Sequence, residues 1–400
     1  MSVEYRYFIT SLIDGIILDE IEFAEVSWSK KINSAGSFSG SVFTSKRNPA
    51  SDFLMLTTPG NRSLYVMRNG VIVWGGIVWD REFDQENRKL TITAYSHEIY
   101  LFNRVLWKTR KYTDEDVFDV VRDLVNAMNY DLQDGINAIA GEPAQYNGTG
   151  GRPDSANIGL DLGTGLRGVT MTNEDDFRGI ELKYIGEIIN ALSDNKNKYF
   201  EWRIEHTFTA GEFQKALKLT VPAANGYDST LLFEYPGVIS KYTWSDSMEN
   251  ASTRFWVTGA GDGPEKRIEY FINDTILSGG VLGDYDYIDY PLFDELELSR
   301  HGSVKNVDTL KEHAEQYAKE SVPPMTDWEV TLYGEFDPQV SAFNQGDWAK
   351  FIIKDENFSS TQAFTRRIEE ITVNVADAEN QHDTVTLALT NETGPSTDMD

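Results

Sequence analysis

The stretch Leu64-Tyr-Val-Met-Arg-Asn-Gly-Val-Ile-Val-Trp-Gly-Gly-Ile-Val-Trp-Asp-Arg-Glu-Phe-Asp84, followed after a polar reversal by Leu90-Thr-Ile-Thr-Ala-Tyr95, decides the architecture of this chain. Asn69-Gly70 separates two runs of β-branched and aromatic residues. That dipeptide accepts positive φ at both positions, as a type I′ hairpin turn requires. A second reversal falls at Asp84 to Arg88. Beyond it Leu90, Ile92 and Ala94 alternate with Thr91, Thr93 and Tyr95, the period of a half-buried strand. The block reads as a three-stranded antiparallel meander of the kind that closes small barrels. Nothing in it is arranged for chemistry, and the rest of the chain repeats that impression.

The 400 residues exceed what one core serves, so two to four domains are expected. Aromatic residues make up 12%, enough for buried cores. There is no cysteine, which excludes disulfides and thiolate metal sites. No apolar run reaches the roughly 18 residues of a membrane span. The opening Met1-Ser-Val-Glu-Tyr-Arg-Tyr7 lacks a signal-peptide pattern, which predicts synthesis in a cytoplasm and leaves Asn147-Gly-Thr149 without glycan meaning. The net charge of −28 is uneven. Residues 1–105 carry 11 basic and 12 acidic groups, residues 106–275 carry 17 and 27, and residues 276–400 carry 8 and 25. The nearly neutral first third can pack on protein at little desolvation cost, whereas the acidic last third repels nucleic acid and anionic membranes. Specific nucleic-acid binding is therefore not expected.

The pattern predicts a mixed, mainly β protein. Two small β-barrel-like domains bracket an α/β middle region, with a connecting helix before the C-terminal barrel. The predicted divisions are a β domain over 1–105 and an α/β domain over 106–200 with a glycine-rich insertion at 141–173. A β-rich domain over 201–275 follows, then an acidic loop and connecting helix over 276–324, a β-barrel over 325–391 and a disordered tail over 392–400. In the middle, Thr113 before Asp114-Glu115-Asp116 has the look of a capping box. Val117, Val120, Val121, Leu124, Val125 and Met128 then form one helical stripe. A second helix is expected over Phe177 to Leu192, and a third over Val304 to Glu320 ahead of Pro323-Pro324. Strand-like runs cover Tyr199–Ile204, Ala216–Val221, Leu231–Tyr242, Thr253–Thr258 and parts of Trp328–Leu389.

Candidate chemistry is sparse. Gly259-x-Gly-x-Gly263 lacks the Lys-Ser/Thr of a phosphate loop and has Asp262 and Glu265 beside it, so it reads as a turn. Asp284, Asp286 and Glu295 fall at positions 1, 3 and 12 of a calcium-loop template. Ile288 and Asp289 at positions 5 and 6 break the template, so the segment reads as a solvated or partner-facing acidic loop, with these three as metal candidates. His97, His206, His301, His313 and His382 are scattered without metal or triad spacing. Trp74, Trp79, Trp107, Trp202, Trp244, Trp256, Trp328 and Trp348 lie mostly in strand-like runs, where packing is the simpler role than a sugar platform. No cofactor is implied.

Four blocks carry a family resemblance. They are Trp28-Ser-Lys-Lys-Ile-Asn-Ser-Ala-Gly36-Ser-Phe38; Arg68-Asn-Gly-Val-Ile-Val-Trp74-Gly-Gly-Ile-Val running on to Ile99-Tyr-Leu-Phe-Asn-Arg104; Tyr290-Pro-Leu-Phe-Asp-Glu with Thr309-Leu-Lys-Glu-His313-Ala314; and Phe336-Asp-Pro338, Asn344-Gln-Gly346-Asp347 and Arg367-Ile-Glu-Glu-Ile371-Thr-Val. In this order they resemble the minor tail, or baseplate hub, proteins of long-tailed bacteriophages. The glycine-rich Gly141–Asn173 stretch matches nothing in that pattern. The resemblance implies a virion protein of the tail tip, made in the bacterial host cytoplasm. It implies a homotrimer whose paired barrels form a pseudo-sixfold ring between a six-fold tail tube and a three-fold tip, around the DNA exit channel. The implied partners are distal tail or tail-tube proteins, the tape-measure protein and other tail-tip proteins. Asn69, Gly70, Gly346 and Asp347 are then structural turn residues. Two other readings stay open: a tail-associated cell-wall hydrolase or endopeptidase, and a receptor- or carbohydrate-binding tail module.

Overall fold

The computed structural model describes residues 3–47, 49–106, 109–134, 158–164, 168, 175–177, 179–193, 200–221, 231–247, 252–261, 265–272, 294–297, 307–308, 310–311, 314, 325–376 and 382–390. The chain divides into two compact units, residues 1–240 with 331–387 and residues 241–330 with 388–400. The fold is mainly β.

The chain opens with β1 (Tyr5–Ser11), β2 (Ile17–Glu20), β3 (Ala24–Lys31), β4 (Ser37–Phe43), α1 (Ala50–Leu56), β5 (Arg62–Arg68), β6 (Val71–Asp84) and β7 (Lys89–Ser96). β5, β6 and β7 form an antiparallel meander, with Arg68 opposite Val71 and Asp84 opposite Lys89. Asn69 has φ 50° and Gly70 φ 80°, the left-handed pair that a tight hairpin needs. Register shifts at Val66/Met67 and Val78/Asp80 bend and twist this ribbon. Leu64 and Tyr65 point to opposite faces of β5, yet both are buried. This central strand is covered on both sides, so its sequence shows a continuous apolar run instead of alternation.

A 3-10 turn over His97–Asn103 leads to β8 (Arg110–Tyr112), α2 (Val117–Asp134), β9 (Leu160–Asp161), β10 (Asp175–Phe177), α3 (Ile185–Ser193), β11 (Glu201–Thr209) and β12 (Glu212–Thr220). Val117, Val120, Val121, Leu124 and Val125 of α2 are all buried, so the stripe faces a core. That core also takes Ile185, Ile188 and Ile189 of α3 and Trp202 and Leu217 of the β11–β12 hairpin. The helix start differs from the expected capping box. Asp116, not Thr113, caps it: Asp116 Oδ1 accepts the N–H of Phe118 at 2.8 Å and of Gly168 at 3.0 Å. Asp114 at φ 53° turns the chain just ahead. The second helix is also shorter than expected. Phe177 lies on β10 opposite Arg110, and a tight turn at Gly179–Glu181 with Leu182 at φ 50° delays helix formation to Ile185.

The run Leu231–Tyr242 divides into β13 (Leu232–Tyr235) and β14 (Ile239–Ser247), because Pro236 has no N–H to donate and Gly237 follows it at the bend. In the second unit β15 (Arg254–Thr258) pairs with β16 (Ile268–Ile272) and β17 (Asp294–Glu297). The turn after β15 has Gly261 at φ 115° and closes with Gly259 N–H on Arg267 O. Of the expected third helix, the described residues 307–308, 310–311 and 314 are helical, and Leu310 and Ala314 pack on Val257.

The last strands are β18 (Met325–Tyr333), β19 (Trp348–Ile353), β20 (Gln362–Asn374) and β21 (Thr384–Leu389). The N-terminal half of β20 pairs with β19, and its C-terminal half pairs with β3, placing Val373 opposite Trp28. One run of this sheet is β21-β20-β3-β4-β7-β6-β5-β1-β2. Strands from the beginning and the end of the chain therefore share one sheet.

Candidate functional site: a buried charged seam

Where the two ends of the chain meet, large charged side chains are buried. Arg68 on β5 is 1% exposed. It donates to Gly334 O at 2.6 Å, Gln339 Oε1 at 2.8 Å and the Tyr5 hydroxyl at 3.1 Å, and lies 3.5 Å from Asp383. The Tyr5 hydroxyl donates to Asp383 Oδ2 at 2.8 Å. Burial, reinforced by the Asp383 charge, pushes the Tyr5 phenol far above its ordinary range, so it stays a donor. Burying an ion costs several kcal/mol unless its hydrogen bonds are met. Here they are met from both ends of the sequence.

A second ion pair joins Arg367 on β20, also 1% exposed, to Glu201 on β11. Arg367 also lies over the Trp348 ring at 5.6 Å. The neighbouring turn has Gly346 at φ 93°, and a Cβ there would come within 2.7 Å of Glu201 Oε2. Asp347 Oδ2 accepts the Asn344 N–H at 2.8 Å, which closes the turn.

Beside this pair a cleft of about 200 Å³ is lined by Lys30, Glu98, Arg203, His206, Asn344 and Gln345 among others. Lys30 Nζ donates to Asn344 Oδ1 at 3.0 Å. Desolvation, with Arg203 nearby, lowers its ammonium to about 8. Glu98, 4% exposed, accepts the Ile204 N–H on Oε1 at 2.6 Å, and burial raises its carboxyl. Among the described residues, its Oε2 and the Oε1 of Gln345 are buried without a hydrogen-bond partner.

Two histidines that sequence spacing left unconnected meet behind the cleft. His97 Nδ1 and His206 Nε2 are 2.9 Å apart, and Ser63 Oγ lies 2.9 Å from His97 Nε2. One ring donates to the other, so both fit as neutral tautomers. Desolvation holds both below their ordinary value, His206 at about 3, with Lys215 adding repulsion. Lys215 is itself buried, donates to Leu12 O at 2.7 Å, and is lowered to about 8 by desolvation. Ser63 and His97 are closed to solvent, His206 reaches the cleft wall, and among the described residues no carboxylate is hydrogen-bonded to either ring.

Asp284 and Asp286 lie outside the described residues, as do Trp107, His301, His313, residues 391–400 and all of Gly141–Asn173 except 158–164 and 168. Glu295 sits on β17 opposite Phe255. Among the described residues no group of three or more His, Asp or Glu could hold a metal, and no helix is long and apolar enough to cross a membrane. Trp74 and Trp202 are core residues, whereas Trp244 is 46% exposed and neighbours Trp328 at 6.3 Å.

No protein-family model matches the chain, and no curated protein matches it in sequence. Solved structures do match. The 43 kDa tail protein of prophage MuSo2 from Shewanella oneidensis is similar with a TM-score of 0.58 at 11% identity, over 97% of this chain and 99% of that one. The tail protein from Neisseria meningitidis MC58 gives 0.57 at 10% identity, over 96% of each chain. A chain of the Francisella PdpA-VgrG complex gives 0.52 at 10% identity, over 100% of this chain and 60% of that one. The chain thus has the fold of prophage tail proteins, the fold to which the sequence resemblance pointed.

Proposed function

We propose that this chain is a structural, non-enzymatic component of a bacteriophage tail. The observation that carries the reading is a likeness of fold running end to end with two prophage tail proteins of nearly the same extent. The buried seam is consistent with it, because its charged groups join distant chain segments, as a structural role requires.

Within the tail, the chain acts as a homotrimeric hub at the tip, each copy contributing two barrel-like domains to a ring between the six-fold tube and the three-fold tip. Its neighbours are tail-tube or distal tail proteins, the tape-measure protein and other tip proteins, and it is made in the host cytoplasm before joining the virion. Part of the acidic surface lines the DNA exit channel, where like charge keeps DNA from sticking. The mass of the purified protein by light scattering, together with a density map of the particle, tests this. Three copies around a three-fold axis are expected. A monomer without three-fold arrangement overturns the hub, and a neutral or basic bore overturns the channel role. Zymography on host cell wall is expected to show no clearing; clearing abolished by one carboxylate substitution sinks the non-enzymatic reading.

A further inference from the structure

We propose that Lys30 and Asn344 become joined by an intramolecular isopeptide bond, with Glu98 carrying the proton, so that β3 is covalently tied to the turn preceding β19. The two side chains are 314 positions apart in sequence, yet Lys30 Nζ sits 3.0 Å from Asn344 Oδ1. That contact holds the amine against the carboxamide whose carbon it would attack. Such juxtaposition in a fixed frame replaces an encounter step and accounts for large rate accelerations.

Three further features suit the reaction. The amine must be neutral to attack, and desolvation favours its neutral form. A proton must move from the amine to the departing nitrogen. Glu98 lines the same cleft, its Oε2 has no hydrogen-bond partner among the described residues, and burial favours its protonated form. Asn344 is held in place, its N–H bonded to Asp347 Oδ2 at 2.8 Å.

The step balances without a co-reactant. The Nζ lone pair forms a bond to Asn344 Cγ while the protonated Glu98 carboxyl stabilises the developing oxyanion. Glu98 then relays the proton shed by Nζ to Nδ2, the Cγ–Nδ2 bond breaks, and ammonia leaves. The product is a secondary amide. In a chain with no cysteine, this would cross-link the first and last strand groups. A cross-link closing so long a loop would constrain the unfolded chain strongly.

Intact-mass spectrometry of the purified full chain decides the matter. The expected mass is about 17 Da below that of the sequence, the loss of one ammonia. A tryptic digest should contain one branched peptide linking the Lys30 and Asn344 segments, with no cleavage after Lys30. Lys30→Arg, which keeps a cation in the cleft, should show no ammonia loss, and Glu98→Gln should show little. Wild-type protein at full sequence mass, cleaved normally after Lys30, overturns the proposal. An undiminished ammonia loss in Glu98→Gln overturns the role given to Glu98.

Discussion

Two glycines illustrate how the same left-handed backbone carries different consequences at the residue scale. Gly70 has φ 80° with open space around it, whereas Gly15 has φ 71° and a Cβ there would lie 1.9 Å from the carbonyl oxygen of Phe213. Gly70→Ala should cost about 1 kcal/mol through backbone strain alone. Gly15→Ala must also displace backbone and should cost more than ~3 kcal/mol. Urea unfolding midpoints of the two variants measure the difference. The paired imidazoles make a pH prediction. Their folded values lie below the ordinary histidine value near 6.5, His206 at about 3. An unfolded chain therefore takes up protons that the folded one refuses. Their contribution is complete above about pH 6.5 and is lost progressively as pH falls toward about 3. Replacing His206 with Gln should flatten the fall in unfolding midpoint between about pH 7 and 4 relative to wild type. An unchanged slope would show that the pair does not titrate with folding.

At the scale of elements, α2 is where local pattern and packing agree most closely. Its stripe of Val117, Val120, Val121, Leu124 and Val125 is buried as one face. Leu124→Ala should cost about 2–5 kcal/mol by opening a cavity. Asp116→Ala removes the acceptor for Phe118 N–H and Gly168 N–H together, so about 2 kcal/mol, the upper end of the capping range, is expected. Thermal unfolding should rank Leu124→Ala as the more damaging, and the reverse order would mean that the helix is held by its cap more than by its core. The expected capping box at Thr113 missed Asp116 by three positions because Asp114 takes a left-handed turn that residue type alone does not announce. The expected helix from Phe177 began late for a similar reason. Its first residue pairs in a strand with Arg110, more than sixty positions away, and the helix starts at Ile185.

For the whole molecule, the decisive contacts are those that join distant parts of the chain. Arg367 and Glu201 form a buried pair between β20 and β11. Glu201→Gln removes the charge that faces the buried guanidinium and should cost about 3–5 kcal/mol. Replacing both with apolar residues, Glu201→Leu with Arg367→Met, should recover a large part of that loss, as a double-mutant cycle on unfolding free energy would register. If the double variant is worse than the sum of the singles, the pair contributes net stability that an apolar contact cannot replace.

The amino-acid sequence by itself determined the mainly β character, the Asn69-Gly70 hairpin and the α2 stripe, because these rest on turn chemistry and on periods of two and 3.6 residues that neighbours in sequence express directly. Its four ordered blocks also pointed to the fold that the prophage tail proteins share. Only the tertiary structure decided that β20 lies against β3, that Arg68 meets Asp383, that His97 meets His206 and that Lys30 reaches Asn344. Each of those contacts joins residues more than a hundred positions apart. No local period encodes such a pairing. It follows from which faces the sheet buries together and from the demand that a charge taken out of water find its partner there.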